Sequence, residues 1–488
     1  MLICKVIGHV WATKKEEALE GIKLMVVQET KTNQKNPSVF VAADRVGAGI
    51  GEDVLVVSGS TARRALGRDD LPVDCAIVGI IDTMEVMRSR PGDIVAAAAA
   101  VAKEIGAEDC TIGLKKSYTR EIVALETAIR KLPQGAVPVR LHTVESFYPA
   151  GDEQVLVYEV TGKVVPPAGI PLDVGAAVSN AATMAAVYDA MEGRPFIRKY
   201  LTVAGAVKEP KILCVPVGTS YADCLRQAGG ATVERWVAVN GGPMMGKVLS
   251  MEEAGAAVVT KTTSGILILP EESAIAQANK ISLAHMKNRA AASCIQCSYC
   301  TELCPRHLLG HPLEPHKIMR KMAISPDITQ LLDDPDVGKA ALCCQCGVCE
   351  SYACPMGLQP RRVNALLKEA LGRAGIRYPK GEGVFTPLPA RKNRKIPTQR
   401  AAARAGVLDY LGAALEQMEE YRPDAVILPL NQQIGAPCQP VVQEGDQVTE
   451  GQLVAKCPDG KLGANLHASI AGTVVWTEGA IAIQERRS

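Results

Sequence analysis

The sequence predicts a multidomain α+β chain, with two β-rich ends enclosing an α/β layer and a helical, cysteine-bearing stretch. Three observations predict it. Short strand-like runs between turn residues fill residues 1–86 and return over 424–485; a β-α-β texture begins at Arg90; and two dense cysteine runs lie among helix formers. At 488 residues the chain has room for about three domains of roughly 150 residues each.

In chain order, "LICKVIGHVWAT", "KLMVVQET", "SVFVAADRV", "DVLVVSG" and "CAIVGIID" read as short strands punctuated by Gly, Asn and Asp turns, which predicts a small β-barrel over residues 1–86. The texture changes at "RPGD". "IVAAAAAVAKEIGAE" is a helix by propensity and "CTIGLK" a buried strand. "TREIVALETAIRKL" carries Ile122, Leu125, Ile129 and Leu132 on one helical face, and "VRLHTV" is a further strand. Residues 198–250 return to short strands around one helix, "SYADCLRQAGG". Residues 285–375 are helical between their cysteine motifs. Residues 379–405, rich in Pro, Gly and Arg, read as a linker, and 424–485 as short strands joined by Gly turns.

Charge excludes some classes of function. The formal net charge is +2, with 54 basic and 52 acidic residues and no long block of one sign, which argues against a nucleic-acid surface or a polybasic membrane patch. The longest apolar run, Ile94 to Ala102, falls short of the ~18 residues of a membrane span. "MLICKVIGHVW" alternates like a strand and lacks the form of a signal peptide. Sixteen cysteines in such a chain point to metal ligation in a reducing compartment, and so to a soluble cytoplasmic protein.

"CIQCSYCTELCP" places Cys294, Cys297, Cys300 and Cys304 in the C-x2-C-x2-C-x3-C-P spacing that grips an iron–sulfur cluster. "CCQCGVCESYACP" repeats the theme with Cys343, Cys346, Cys349 and Cys354. In two-cluster ferredoxins the fourth cysteine crosses to the other cluster. The expected sets are therefore Cys294, Cys297 and Cys300 with Cys354, and Cys343, Cys346 and Cys349 with Cys304, holding two [4Fe-4S] clusters. The alternative is a pair of zinc sites, against which the doubled Cys-Pro endings stand. Cys344 is a spare, read as a buried neighbour. His307, His311 and His316 follow the first run, but four cysteines already fill a ligand set. Cys4, Cys75, Cys110, Cys214, Cys224, Cys438 and Cys457 stand singly among apolar residues and read as core packing.

From about Gly92 to Glu485 the chain resembles the corrinoid reductases of propanediol-utilising microcompartments, relatives of the RnfC subunit and of the flavin subunit of respiratory complex I. The stretches that carry the resemblance are "FYPAGDEQVLVYEVTGKVVPPAGIPLDVGAAVSN", "YLTVAGAVKEPKILCVPVGTSYADCLRQAGG", "VNGGPMMGKV" and the two cysteine motifs. The resemblance implies a partial α/β flavin/NADH-type domain over 92–197 and a β-grasp ligand-binding (SLBB) module over 198–250. It further implies a two-cluster ferredoxin-like domain over 285–375 and a barrel-sandwich hybrid domain over 424–485. The implied cofactors are FMN and NADH beside the two clusters, with a corrinoid as substrate. Carried over by motif, Glu153 lies near flavin or nicotinamide, and Asn180 and Thr183 contact the flavin; the plain structural reading is a solvated acid and a turn asparagine. The family's glycine-rich phosphate loop has no counterpart ahead of Gly92. "VGAGIGEDVLVVSG", with Gly47, Gly49 and Gly51, runs into a strand rather than a helix.

Residues 1–86 resemble the pentameric vertex proteins of bacterial microcompartments, on "ICKVIGHVWATKK", "FVAADRVGAGIGEDVLVVSGSTARRAL" and "DCAIVGIID". That implies a homopentamer formed through residues 1–86, with Ser58 to Arg64 at the subunit contact, shell proteins as partners, and a place at a shell vertex or in the lumen. An unrelated OB-like barrel is the plain alternative. Lys461, in the tail, falls about where a carrier lysine projects in lipoyl-type domains, yet "DGKLGAN" lacks their context. The combined expectation is a vertex-anchored oxidoreductase of the cob(III)/cob(II)alamin reductase type, passing electrons from NADH through flavin and two clusters to a corrinoid, with corrinoid-handling enzymes as partners. Two other readings stay open: a flavin-less iron–sulfur relay, and a structural vertex component with tethered cargo. No catalytic side chain is assigned.

Overall fold

The computed structural model describes residues 2–10, 23–30, 39–44, 53–58, 75–80, 85–325, 327–410, 418–477 and 479–485. It divides into two compact units, Met1–Ser146 with Asp409–Glu416, and Phe147–Leu408 with Gln417–Ser488.

The first unit opens with β1 (Leu2–Val10), β2 (Lys23–Glu29), β3 (Val39–Asp44), β4 (Asp53–Ser58) and β5 (Cys75–Ile80). They close into a barrel in the order β1-β2-β3-β5-β4, sealed by antiparallel pairing of β4 with β1. Alternation dictates the core: Cys4 and Val6, Met25 and Val27, and Val54 and Val56 are two apart and all buried, as is Ala42, while Ile7 and Val41 face out. The predicted turn at Gly47, Gly49 and Gly51, and the segment following Ser58, lie outside the described residues.

The same unit continues with α1 (Glu85–Ser89), α2 (Pro91–Glu104), β6 (Cys110–Lys115), α3 (Thr119–Ile129) and β7 (Val139–Val144). Pro91 starts α2, where its missing N–H costs nothing. β6 and β7 pair parallel from Cys110↔Val139 to Lys115↔Val144, the crossover being α3, which buries Leu125 and Ala128. Buried Glu121 meets Arg88 at 3.4 Å. The α/β layer here is a two-stranded piece.

The second unit begins with β8 (Phe147–Tyr148), α4 (Glu153–Thr161) and α5 (Ala181–Met191). A sheet follows, made of β9 (Arg198–Gly205), β10 (Lys211–Pro216), β11 (Trp236–Asn240), β12 (Lys247–Leu249) and β13 (Gly265–Pro270) in the order β12-β11-β13-β9-β10, with Met418–Glu420 added parallel to β10. The sheet runs past the sequence boundary at 250 because β13 lies between β11 and β9; without it the two halves share no ladder. Next come α6 (Leu283–Ser293), α7 (Pro315–Ile324) and α8 (Pro360–Arg373), which bury Met286, Ile318, Met322, Val363, Leu367 and Leu371 against one another. The spacing of Val363, Leu367 and Leu371 is one helical face.

Of residues 379–405, expected as a linker, the stretch from Pro389 forms a packed strap, while 379–388 is irregular and mostly exposed, Val384 almost fully so. Pro389–Asn393 is a 3₁₀ turn, Ile396–Pro397 pairs antiparallel with β8, and Thr398–Arg404 is helical. The cations that make its composition look loop-like are partnered: Arg391 reaches Glu159 at 2.6 Å over the Tyr158 ring, and Lys395 reaches Glu159 at 2.9 Å over Phe147. The tail is two small sheets. One holds Ala425–Pro429, Ala480–Gln484, Gly472–Thr477 and Gln447–Val448; the other holds Gln439–Pro440, Leu453–Lys456 and Leu466–His467. Val426, Val454, Val474 and Ile481 fill the space between them. No helix among the described residues is long and apolar enough to cross a membrane.

Candidate iron–sulfur and flavin sites

The two cysteine loops are built alike. Gln296 and Ser298 flank Cys297 with φ of 57° and 61°, and Gln345 and Gly347 flank Cys346 with φ of 56° and 82°. Three of these four carry side chains in the left-handed region, a conformation that persists only where surroundings impose it. It curls each loop around a centre. Cys294, Cys297, Cys300 and Cys354 line one cavity. Cys304, Cys343, Cys346 and Cys349 line another. The fourth cysteine of each run therefore sits with the other run's three.

Cys343 Sγ accepts from Gln345 N at 3.3 Å, and Cys354 Sγ from Leu358 N at 3.4 Å, the kind of bond that favours a thiolate. Cys344 lines the second cavity as a fifth thiol, held below its ordinary value by hydrogen bonds from the Cys346 side chain and backbone. Burial, then the neighbours Cys354, Cys297 and Cys294, pushes the Cys300 thiol up to about 12. Cys349 is likewise raised well above its ordinary value by burial and by Cys343 and Cys304. Thiols gathered this closely ionise together only around a cationic body. Among the described residues no three ligands come close enough to hold a single ion. A body wider than one ion, such as a cubane, suits both cavities better than zinc, whose ligands converge at about 2.3 Å from one point.

The two cavities differ in access. Cys304, Cys343, Cys346 and Cys349 are all 8 % exposed or less, whereas Cys297 is exposed and Ile295, Tyr299 and Met356 beside it face solvent. The buried cavity is tied to the start of the second unit. Tyr148 donates its hydroxyl to the Cys346 carbonyl at 2.6 Å, and Arg306, two residues after Cys304, makes a bidentate pair with Asp152 at 2.9 and 3.0 Å. Two of the three histidines have other tasks: His311 is buried against the Val165 carbonyl at 2.8 Å, and His316 meets Thr301 at 2.7 Å.

Glu153, Asn180 and Thr183 are all exposed, at the N-termini of α4 and α5. Asn180 caps α5: its Oδ1 accepts from Thr183 N at 2.7 Å and Thr183 Oγ1 at 2.8 Å, so these two satisfy each other. The Glu153 carboxylate and the Asn180 amide stay open, with Ile170, Leu172 and Val178 exposed on the same stretch. That fits the ring end of a flavin. The described residues ahead of Glu85 are five strands, with no amide cradle for its phosphate.

Two cysteine-lined cavities, one buried and one open, on a chain that also carries a β-α-β piece are those of an iron–sulfur electron-transfer protein, an oxidoreductase. Comparison with known proteins agrees. Residues 1–82 match the family described as ethanolamine utilisation protein EutN/carboxysome, 78–189 the Nuo51 FMN-binding domain, 200–248 the SLBB domain, 293–359 the 4Fe-4S dicluster domain, and 413–486 the RnfC barrel sandwich hybrid domain. Cobalamin reductase PduS of Citrobacter freundii is 41 % identical over 371 residues, covering 76 % of this chain and 79 % of that one, and its Salmonella typhimurium counterpart is 40 % identical over the same span. The chain belongs to the cobalamin reductase PduS family, with a microcompartment shell domain at its N-terminus. The solved structure of CcmL from Nostoc sp. PCC 7120 is 46 % identical over 18 % of this chain and 94 % of its own, with a TM-score of 0.16.

The two cysteine runs were legible from spacing. Of the left-handed positions only Gly347 was foreshadowed by its residue type; Gln296, Ser298 and Gln345 carry no such signal. The Asp152–Arg306 and Tyr148 contacts had no sequence signal, since their partners lie 154 and 198 residues apart.

Proposed function

We propose that this protein is an NADH-dependent corrinoid reductase held at a microcompartment shell vertex, with Cys294, Cys297, Cys300 and Cys354 ligating one [4Fe-4S] cluster and Cys304, Cys343, Cys346 and Cys349 the other. The observation that carries the reading is the pair of cysteine-lined cavities, each holding one cysteine from the other run, with unequal access. FMN would accept a hydride and release single electrons, and the clusters would carry them one at a time. The residues set the order. Tyr148 and Asp152 join the buried cavity to the segment bearing Glu153, so that cavity is the first stop. Cys297, Ile295 and Tyr299 bring the second cavity to the surface, where a corrinoid or its carrier enzyme could take the electron. Glu153 and the free amide of Asn180 would face the flavin ring. The barrel forms a homopentamer with shell proteins as neighbours, and the compartment shields the reduced centres.

The test is anaerobic NADH-driven corrinoid reduction by the full chain. Cys297→Ser and Cys346→Ser should each abolish it while leaving the barrel's oligomeric state unchanged; undiminished activity in either would overturn the route. A second reading, a flavin-less relay charged by another reductase, is favoured by one observation, the closed Asn180–Thr183 cap. It predicts clusters without bound flavin.

A further inference from the structure

The sequence reads Cys438 and Cys457 as two unrelated core residues, but sheet register places them together. Gln439 pairs with Lys456 and Pro440 with Ala455, antiparallel, and Val441 N donates to the Val454 carbonyl at 2.9 Å. One step further along the same register sets Cys438 opposite Cys457. The hydrogen-bonded pairs alternate from Val441/Val454 through Gln439/Lys456, so Cys438/Cys457 is a non-hydrogen-bonded pair. Their amides point elsewhere as that requires: Cys438 N donates to the Leu430 carbonyl and Cys457 N to Asn465 Oδ1, both at 2.9 Å. Such pairs have Cα atoms about 4.5 Å apart, within the roughly 4.4–6.8 Å that a disulfide spans.

Both thiols also converge on one loop. Cys438 Sγ donates to the Ala464 carbonyl at 3.2 Å, Cys457 Sγ lies 3.6 Å from the Lys461 carbonyl, and a Cβ at Gly463 would fall 2.5 Å from Cys457 Sγ. Cys438 is 4 % exposed while Cys457 is half-buried, so only one of the two meets a co-reactant directly. Burial raises the Cys438 thiol, and Lys261, whose ammonium binds the Asn465 carbonyl, opposes that rise as a nearby cation.

We propose that Cys438 and Cys457 form a dithiol/disulfide site in the barrel-sandwich domain, separate from the cluster cysteines and oxidised by low-molecular-weight disulfides. The Cys457 thiolate attacks the small disulfide, forming a mixed disulfide and releasing one thiolate. The Cys438 thiolate then attacks Cys457 Sγ, closing the intramolecular bond and releasing the second. The two cysteine protons pass to the two leaving thiolates, and two electrons leave the pair to reduce the co-reactant to two thiols. Closure staples the strands that carry residues 439–456.

The test uses the full chain, purified without oxygen with its clusters in place, exposed to oxidised glutathione at graded ratios to reduced glutathione, then alkylated, digested and mass-mapped. The expected result is a linked peptide pair joining Cys438 to Cys457, two hydrogens lighter than the separate peptides, growing with the oxidised fraction. In Cys438→Ser, glutathione should stay on Cys457. Alkylation of both thiols at every ratio would overturn the proposal, as would stable glutathione on Cys457 of the unmodified chain. The wild-type measurement stands even if the variant does not fold.

Discussion

Replacing Asp152 by alanine should loosen the support of the buried cysteine cavity without touching a cysteine. Asp152 does two things at once: it pairs bidentately with Arg306, whose side chain is 7 % exposed, and it caps α4 by accepting from Val155 N at 3.1 Å. Breaking a buried pair costs about 3–5 kcal/mol, because the remaining charge stays buried and unpaired. A lost cap costs about 1 kcal/mol. The two losses share one carboxylate and overlap, so a total of about 4 kcal/mol is expected. A protein with bound clusters does not unfold in one step, so native-state hydrogen exchange of the α4 amides is the better assay. At 1.36 kcal/mol per factor of ten, the expected loss is about a thousandfold in protection. Asp152→Asn keeps the cap and loses the charge, and should fall between. The double change Asp152→Leu with Arg306→Met removes both charges and should recover most of the protection. Less than a tenfold effect in Asp152→Ala would refute the reasoning, since the pair would then not be holding Arg306 in place.

Three further outcomes follow from the same geometry. Burial pulls His311 down to about 4, against an ordinary value near 6.5, so the folded chain refuses a proton that the unfolded chain accepts. Stability should therefore fall as pH drops from about 6.5 toward 4, by about 3 kcal/mol from this group, and His311→Gln should flatten that part of a pH-dependent exchange profile. Gly310→Ala should destabilise by about 1–3 kcal/mol, because φ is +90° and the new Cβ would sit 2.4 Å from the Thr386 carbonyl, where the segment leading into the strap crosses the cluster domain; Gly383→Ala, with the same φ and open space, should cost about 1 kcal/mol by comparison. Cys297→Ser should lose half of the bound iron and keep the fold, whereas Cys346→Ser should lose half of the iron and also protection of the strap's amides; equal effects on the strap would contradict the difference in burial.

The barrel was readable from its short β-rich runs between Gly, Asn and Asp turns; its inward face was not, because Leu24, Met25, Val26 and Val27 are apolar in succession and only strand pairing buries Met25 and Val27. The two cysteine groups were readable because ligand spacing is a local property of the chain, whereas the crossing of Cys304 and Cys354 was expected from the two-cluster ferredoxin pattern and not from spacing. What escaped depends on distant partners. Residues 379–405 have the composition of a linker, and only Glu159 and Tyr158, more than 200 residues away, turn Arg391 and Lys395 into packing groups. β13 lies past the boundary at 250 that the sequence suggested, and only its pairing with both β11 and β9 makes it part of the same sheet. Asn180 and Thr183 carried a family motif, and the structure adds that each already has the other as a partner. Cys438 and Cys457 looked solitary because a cross-strand register cannot be read from either strand alone.

The most direct measurement is an anaerobic NADH titration of the full chain, reconstituted with iron, sulfide and FMN and then desalted, followed by electron paramagnetic resonance of the clusters. The account predicts FMN retained at one per chain and both clusters reduced by NADH. Full iron with no retained flavin, and clusters that dithionite reduces but NADH does not, would contradict it.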